Sequence, residues 1–233
     1  MLNNLLKDLN KASNKPKAQI LARFFKTGPG EYGEGDVFLG ITVPKQRAIA
    51  KRYGGLPLLD VQKLLQSKIH EHRLVALMIL VDKYENPLLG QGEGGVLTPG
   101  EVVSFYLKNL KHINNWDLVD LSAPNIVGDY LLDRPKTKLY NLVKSKNIWE
   151  RRVSVLATYP SIRQNNFTDI LKLSRILLSD QEDLIHKACG WMLREAGKRD
   201  EKVLRKFLDE HAKQMPNVMY RYAIEKIDYK KPV

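Results

Sequence analysis

Residues 182–212 read EDLIHKACGWMLREAGKRDEKVLRKFLDEHA. Apolar side chains recur along this stretch at intervals of three and four, the period of a helix with one buried face. The pattern breaks at Arg199-Asp200, so two helices follow one another across a short turn. The same period runs upstream through DILKLSRILLS, IWERRVSVLATY, KTKLYNLVKS, WDLVDLSAPNIVGDYLL and EVVSFYLKNL, and downstream through PNVMYRYAIEKI. It also runs through the N-terminal half, in LLKDLNKA, KAQILARFFK, PKQRAIAKRY, LPLLDVQKLLQS and IHEHRLVALMILVDKY. Pro44 suits the first turn of a helix, and Thr98-Pro99 with Glu101 is a helix-start signature. Two glycine-rich stretches, TGPGEYGEGDVFLGITVP (27–44) and NPLLGQGEGGVLTPG (86–100), cannot continue a helix and are predicted as loops. DVFLGITV alternates weakly and is assigned to loop as well. Helices of this length joined by short turns predict an all-α chain of paired helices stacked into a curved solenoid. No strict sequence period is present, and a compact non-repetitive bundle is the structural alternative.

The 233 residues, 43% of them hydrophobic, suffice for one large domain or two small ones. The expectation is one domain over 1–233. No run of eighteen apolar residues suggests a membrane span, and the N-terminus has neither a long apolar core nor a cleavage signal. The single cysteine, Cys189, allows no internal disulfide and no cysteine-rich zinc site. A cytoplasmic protein is expected. Lys and Arg number 38 against 26 acids, a net charge of +12, which favours polyanionic partners through counterion release. The same excess is also compatible with a mere solubility surface.

Each of the three tryptophans has charged neighbours at helical spacing. Trp149 precedes Arg152 by three and opens a helix, where packing on the preceding turn is the simpler role. Lys187, Trp191, Arg194 and Lys198 share a face, a basic stripe with one aromatic. Spacing alone leaves core packing and DNA contact equally open for Trp191. In NNWDLVD (114–120), Asp117 falls in a first helical turn, where its charge suits the helix dipole. Asp120 lies four residues after Trp116, on the same face. A carboxylate beside an indole is either a salt-bridged structural acid or one that awaits a cation. HEH at 70–72 places its histidines on different faces, so no metal site is expected. Cys189 reads as packing, and His186 and His211 have no partner assigned by the sequence.

Six blocks, FLGITVPKQR (38–47), NNWDLVD (114–120), GDYLL (128–132), IWERRVSVLA (148–157), HKACGWMLREAGK (186–198) and YRYAIEKI (220–227), occur in an order that resembles the bacterial DNA alkylation repair family, the AlkD-like DNA glycosylases. The resemblance covers the chain from about Phe24 to near the C-terminus. It implies a right-handed solenoid of HEAT-like helical repeats with a concave basic groove. It also implies excision of cationic N3- or N7-alkylated purines, such as 3-methyladenine and 7-methylguanine, from double-stranded DNA by a monomer without cofactor or metal. The tryptophan and last acid of the family's W-D-x-x-D motif fall on Trp116 and Asp120. Its groove arginine falls on Arg152 and its second groove tryptophan on Trp191. An N-terminal aromatic, commonly tyrosine, falls on Phe24, which lacks the hydroxyl. Lys187 and Arg194 flank Trp191 and are expected DNA contacts. The glycine-rich stretch at 27–36 is longer than in some members and is expected to affect how DNA or a damaged base is held.

Alkylation at N3 or N7 leaves the purine positively charged, so it departs as a neutral molecule. No acid need protonate it, unlike the oxygen leaving group in sugar hydrolysis. What remains is to stabilise an oxocarbenium-like sugar and to position water, and the resemblance implies that one carboxylate, Asp120, is to serve both needs. Two rival functions stay open: a non-catalytic module that binds branched or damaged DNA by shape, and a helical scaffold for an acidic protein partner.

Overall fold

The computed structural model describes residues 1–90 and 96–230, with the side chains of 89 and 90 left aside. The described part is helical, with no strand of a sheet within it. It divides into two compact units, Met1–Ser122 and Ala123–Val233.

The first unit holds α1 (Leu2–Lys11), α2 (Lys15–Phe24), α3 (Val43–Arg52), α4 (Leu58–Leu65), α5 (His70–Glu85) and α6 (Pro99–Lys108), and nearly all of α7 (Trp116–Ala123). Helix α5 is its centre, with α3 and α4 packed against it. Residues 70–80 of α5 are all buried, so the helix has no solvent face for most of its length. Its first turns nevertheless carry His70, Glu71, His72 and Arg73, all buried. Buried charge on that scale requires partners.

The second unit holds α8 (Thr137–Leu142), α9 (Ile148–Leu156), α10 (Tyr159–Arg163), α11 (Thr168–Ile176), α12 (Asp183–Arg199), α13 (Glu201–His211) and α14 (Asn217–Ile224). Helix α12 is its centre, touching α9, α10, α11, α13 and α14. Gly190 allows the approach of α14: a Cβ there would sit 2.5 Å from the Met219 carbonyl oxygen and from the Tyr222 Cβ. Cys189 is buried beside it, as packing predicts, and burial pushes its thiol up to about 12. A thiol so buried is inert.

The expected helix starts are present. Asn14 caps α2, its side chain accepting from the Lys17 amide, and Pro44 lies in the first turn of α3. Thr98 and Glu101 form a reciprocal capping box at α6. Two expected helices are interrupted. WDLVDLSAPNIVGDYLL leaves the α-helical path after Ala123, and Pro124–Gly128 forms a π-helical turn. Pro124 has no amide to donate, so the regular ladder cannot pass it. IWERRVSVLATY ends at Leu156, and α10 begins only at Tyr159. DVFLGITV is loop, as expected, apart from one parallel bridge between Val37 and Ile69. Of the stretch 86–100, residues 91–95 lie outside the described residues.

Candidate functional site

Trp116 opens α7, and its amide donates to the Asn115 side chain at 2.8 Å. Its indole lies nearly parallel to the Phe25 ring, with centroids 5.1 Å apart and planes at 15°. Phe24 meets the same indole edge-on at 6.0 Å. Phe25 stacks in turn on Phe38, and both rings abut the His70 imidazole. Such ring pairs each contribute about 0.5–1.5 kcal/mol beyond the area they bury. Trp116 therefore rests on a packed aromatic floor while staying partly exposed. Phe24, at the end of α2, is 61% exposed. It is an open aromatic surface beside the indole.

His70 ties this floor to the helix start. Its Nε2 lies 2.7 Å from an Asp117 carboxylate oxygen, and its Nδ1 lies 3.0 Å from Asp36. Arg73 donates to the same Asp36 oxygen at 2.6 Å. With a carboxylate at each nitrogen, the imidazole is placed to donate twice. Burial by itself would lower the pKa of His70, but the bonds to Asp117 and Asp36 outweigh it and raise the pKa. For Asp36, burial pushes upward, and the bonds from His70 and Arg73 prevail and hold its carboxyl below the usual value. Asp117 thus does more than complement the helix dipole. It is one end of a chain running from α7 through α5 to the glycine-rich stretch.

That stretch is held at several points. Asp36 closes it from one end. The Gly28 and Gly30 amides donate to the side chains of Glu31 and Glu34 at 2.8 and 2.9 Å. Just beyond, the buried Glu71 carboxylate accepts from the amides of Leu39, Gly40 and Ile41 at 2.9, 2.7 and 3.2 Å. Gly40 has φ +81°, and a Cβ there would lie 2.1 Å from the Asn14 carbonyl oxygen. Only glycine lets the chain turn under the start of α2 at that distance.

Asp120 sits one helical turn beyond Trp116 on α7 and is partly exposed. Next to it is Tyr106, whose buried hydroxyl pairs with Ser122 at 3.0 Å. Burial, together with the Asp120 charge, raises the Tyr106 phenol so that it stays protonated.

In the second unit, Trp191 is partly exposed on α12, and its indole N–H donates to Glu195 at 3.2 Å. Glu195 also receives Arg194 at 3.3 Å and Lys198 at 2.8 Å. Arg194 pairs further with Glu225, and Lys187 with Asp183 at 2.6 Å. The expected stripe on α12 is present, but each of its cations already has a carboxylate partner. Arg152 is only 4% exposed, and its guanidinium donates to the Leu184 carbonyl oxygen of α12. Arg151 pairs with Asp180 at 2.7 Å. Trp149 is buried, as its position at a helix start predicts.

Phe24 and Trp116 are thus in contact, and Asp120 is one turn away on the Trp116 helix. Sequence reasoning did not anticipate Phe25, Asp36, His70, Glu71 or Arg73. Their signal was the run HEHR at the start of an otherwise apolar helix, which was weighed only as a metal site. Among the described residues, no cluster of His, Cys, Asp and Glu is placed to hold a metal ion. No helix among them is long and apolar enough to cross a membrane.

The sequence model of the family described as DNA alkylation repair enzyme matches residues 5–227. No curated protein sequence matches the chain. Among solved structures, a predicted DNA alkylation repair enzyme from Enterococcus faecalis is 20% identical, with a TM-score of 0.68 over 94% of this chain and 98% of that one. AlkD2 from Streptococcus mutans is 16% identical, with a TM-score of 0.55 over 98% of both chains. The protein smu.31 from Streptococcus mutans UA159 is 17% identical, with a TM-score of 0.54 over 97% and 99%. These likenesses establish the all-α, HEAT-like helical-repeat fold.

Proposed function

We propose that this chain, which belongs to the DNA alkylation repair enzyme family, is a monofunctional DNA glycosylase that hydrolyses the N-glycosidic bond of purines alkylated at N3 or N7. Its part in the repair of alkylated DNA follows from membership. The reaction is inferred from the residues. The observation that carries it is the surface on and beside α7: an indole fixed on an aromatic floor, an exposed phenylalanine at its edge, and a carboxylate one turn on.

An alkylated purine carries the positive charge that makes it leave. As the bond lengthens, that charge passes to the sugar. Asp120 faces the developing oxocarbenium and orients the water that attacks it. Indole and phenyl faces are electron-rich, so Trp116 and Phe24 favour a cationic lesion and its deoxyribose. Phe24 does this without the hydroxyl that tyrosine would add. The base leaves neutral, so no acid is required. The 3-methyladenine and 7-methylguanine lesions are the natural substrates on this chemistry.

In the second unit, Trp191, Lys187 and Arg194 are proposed as DNA contacts. Their cations would exchange carboxylate partners for phosphates, at a net gain through counterion release. The family resemblance puts Arg152 on a phosphate. Its burial and its bond to the Leu184 carbonyl favour a bracing role between α9 and α12 instead. The protein would act as a single-domain monomer on duplex DNA in the cytoplasm, associated with the nucleoid when bound.

The test is release of free base from duplex DNA carrying 7-methylguanine or 3-methyladenine, beside the same duplex carrying uracil. The methylated bases are expected to be released and uracil, a neutral base, retained. Uracil release would contradict the cation argument. Tight, salt-sensitive binding with no release from either duplex would replace the enzyme by a module that recognises branched or damaged DNA.

A further inference from the structure

A recess of about 340 Å³ opens in the first unit against the start of α7, bounded by α2, α3, α5 and the chain at 38–44. That volume lies within the range of small-ligand sites, roughly 300–1,000 Å³. Its walls are mostly apolar, with Leu21, Phe38, Ile41 and Leu74 among them. The six polar or charged side chains that line it sort into two groups. His70, Glu71 and Asp117 are committed to the hydrogen bonds already described. Gln46, Lys17 and Thr42 are the other three.

Gln46 is 3% exposed, and its Nε2 donates to the Ile41 carbonyl oxygen at 2.8 Å. That bond fixes which way the amide points. Its Oε1 is then left buried with no hydrogen-bond donor among the described residues. A buried acceptor without a donor is costly, and native proteins seldom keep one without a reason. Gln46 lines the recess, so a small shift of its side chain would bring this oxygen to an N–H of a bound ligand and remove the penalty. Lys17 supplies the complementary group, a cationic donor for a ring nitrogen or carbonyl.

We propose that this recess binds a free purine base, the neutral product of the reaction proposed above. The inference rests on that reading for the identity of the ligand. A purine matches the site in three ways: it is flat and small enough for the volume, its faces suit apolar walls, and one edge carries both N–H donors and acceptors. The recess shares Phe25 with the floor beneath Trp116 and Asp117 with the start of α7, so an occupied recess abuts the candidate reaction site. Bound base would then slow the next turnover.

The test uses the full chain with methyl groups labelled for NMR, titrated with 3-methyladenine as the free base. Saturable shifts are expected at the methyls of Leu21, Ile41 and Leu74. Gln46→Leu is expected to weaken binding about fivefold to tenfold, the worth of one hydrogen bond. Lys17→Met is the second variant, since the Lys17 backbone amide keeps its cap on Asn14 whatever the side chain. It should weaken binding severalfold. The proposal is overturned by an absence of saturable shifts at these methyls at millimolar base, or by affinity that neither variant changes. Base release from methylated duplex, measured on the same preparation, separates the two ideas. Release without free-base binding removes the recess and leaves the glycosylase standing. Binding without release keeps the recess as a purine site and removes the glycosylase.

Discussion

Trp116 and Trp191 are both partly exposed tryptophans on helices, yet their surroundings are built from opposite materials. Trp116 is held by rings: Phe25 on its face, Phe24 at its edge, and Phe38 and His70 behind. Trp191 is held by charge: its N–H meets Glu195, which also gathers Arg194 and Lys198. Packed rings lose their contacts if they move by a fraction of an ångström, whereas ion pairs at a part-buried surface can exchange a carboxylate for another anion and weaken in salt. The first arrangement suits a group that must be in place before a reaction starts. The second suits a surface that trades internal carboxylates for DNA phosphates.

The comparison can be broken at several points. The largest effect is expected at Glu71, which is buried and accepts three backbone amides. Glu71→Ala leaves three donors without a partner, so a loss of about 3–5 kcal/mol in urea unfolding is expected. A loss below about 1 kcal/mol would mean that the chain at 39–41 holds itself. Phe25→Ala should follow, at about 3–4 kcal/mol, since it empties the middle of the ring stack. Trp116 fluorescence should then show a more mobile indole. An unchanged signal would deny that the floor fixes the ring.

His70→Asn is expected to cost about 2–3 kcal/mol near pH 6, because Asp36 and Asp117 lose a shared cationic partner. The pH dependence has a definite sign. The folded pKa of His70 lies above its ordinary value of 6.5, so its contribution is complete below that pH and fades as pH rises through the raised value. Asp36 is depressed below 3.8, so its contribution holds above that pH and fades as pH falls. The gap between wild type and His70→Asn should therefore be widest near pH 5–6 and narrow as the pH rises through the raised value. A gap that widens towards pH 9 would contradict a protonated His70. The smallest effect is expected at Glu195→Gln. Stability should change by less than about 1 kcal/mol, while DNA affinity rises and its salt dependence steepens because Lys198 is freed and Arg194 keeps only Glu225. A fall in affinity would show that Glu195 positions Trp191 for DNA more than it competes with it.

Much of this fold was legible because helical periodicity is local. The run at 182–212 needs no knowledge of the rest of the chain to be read as two helices. The breaks were harder to place. Pro124 sits inside an apolar pattern that continues past it, and a proline residue alone does not say whether the helix ends or bulges. The site was half legible. Trp116 and Asp120 share a face by simple spacing, and the resemblance pointed to Phe24, which touches the Trp116 indole. Phe25, one residue later, went unnoticed although it carries the indole. Asp36, His70 and Asp117 meet across 34 and 47 residues of sequence. No local pattern contains such a pairing, and the same residues are as consistent with a solvated surface or a metal site. Arg194 and Lys187 were visible as a stripe, and their partners Asp183 and Glu195 stand within one turn of them on the same helix, whereas Glu225 comes from the end of α14.

The central claim is that Asp120 stabilises the charge that develops on the sugar. The direct measurement is single-turnover release of 7-methylguanine from duplex DNA by wild type and by Asp120→Asn, with DNA binding measured alongside. Asparagine keeps the shape and removes the charge, so release should fall by about 10²–10³ while affinity for the duplex is retained. Release at the wild-type rate by Asp120→Asn, with binding intact, would contradict the account.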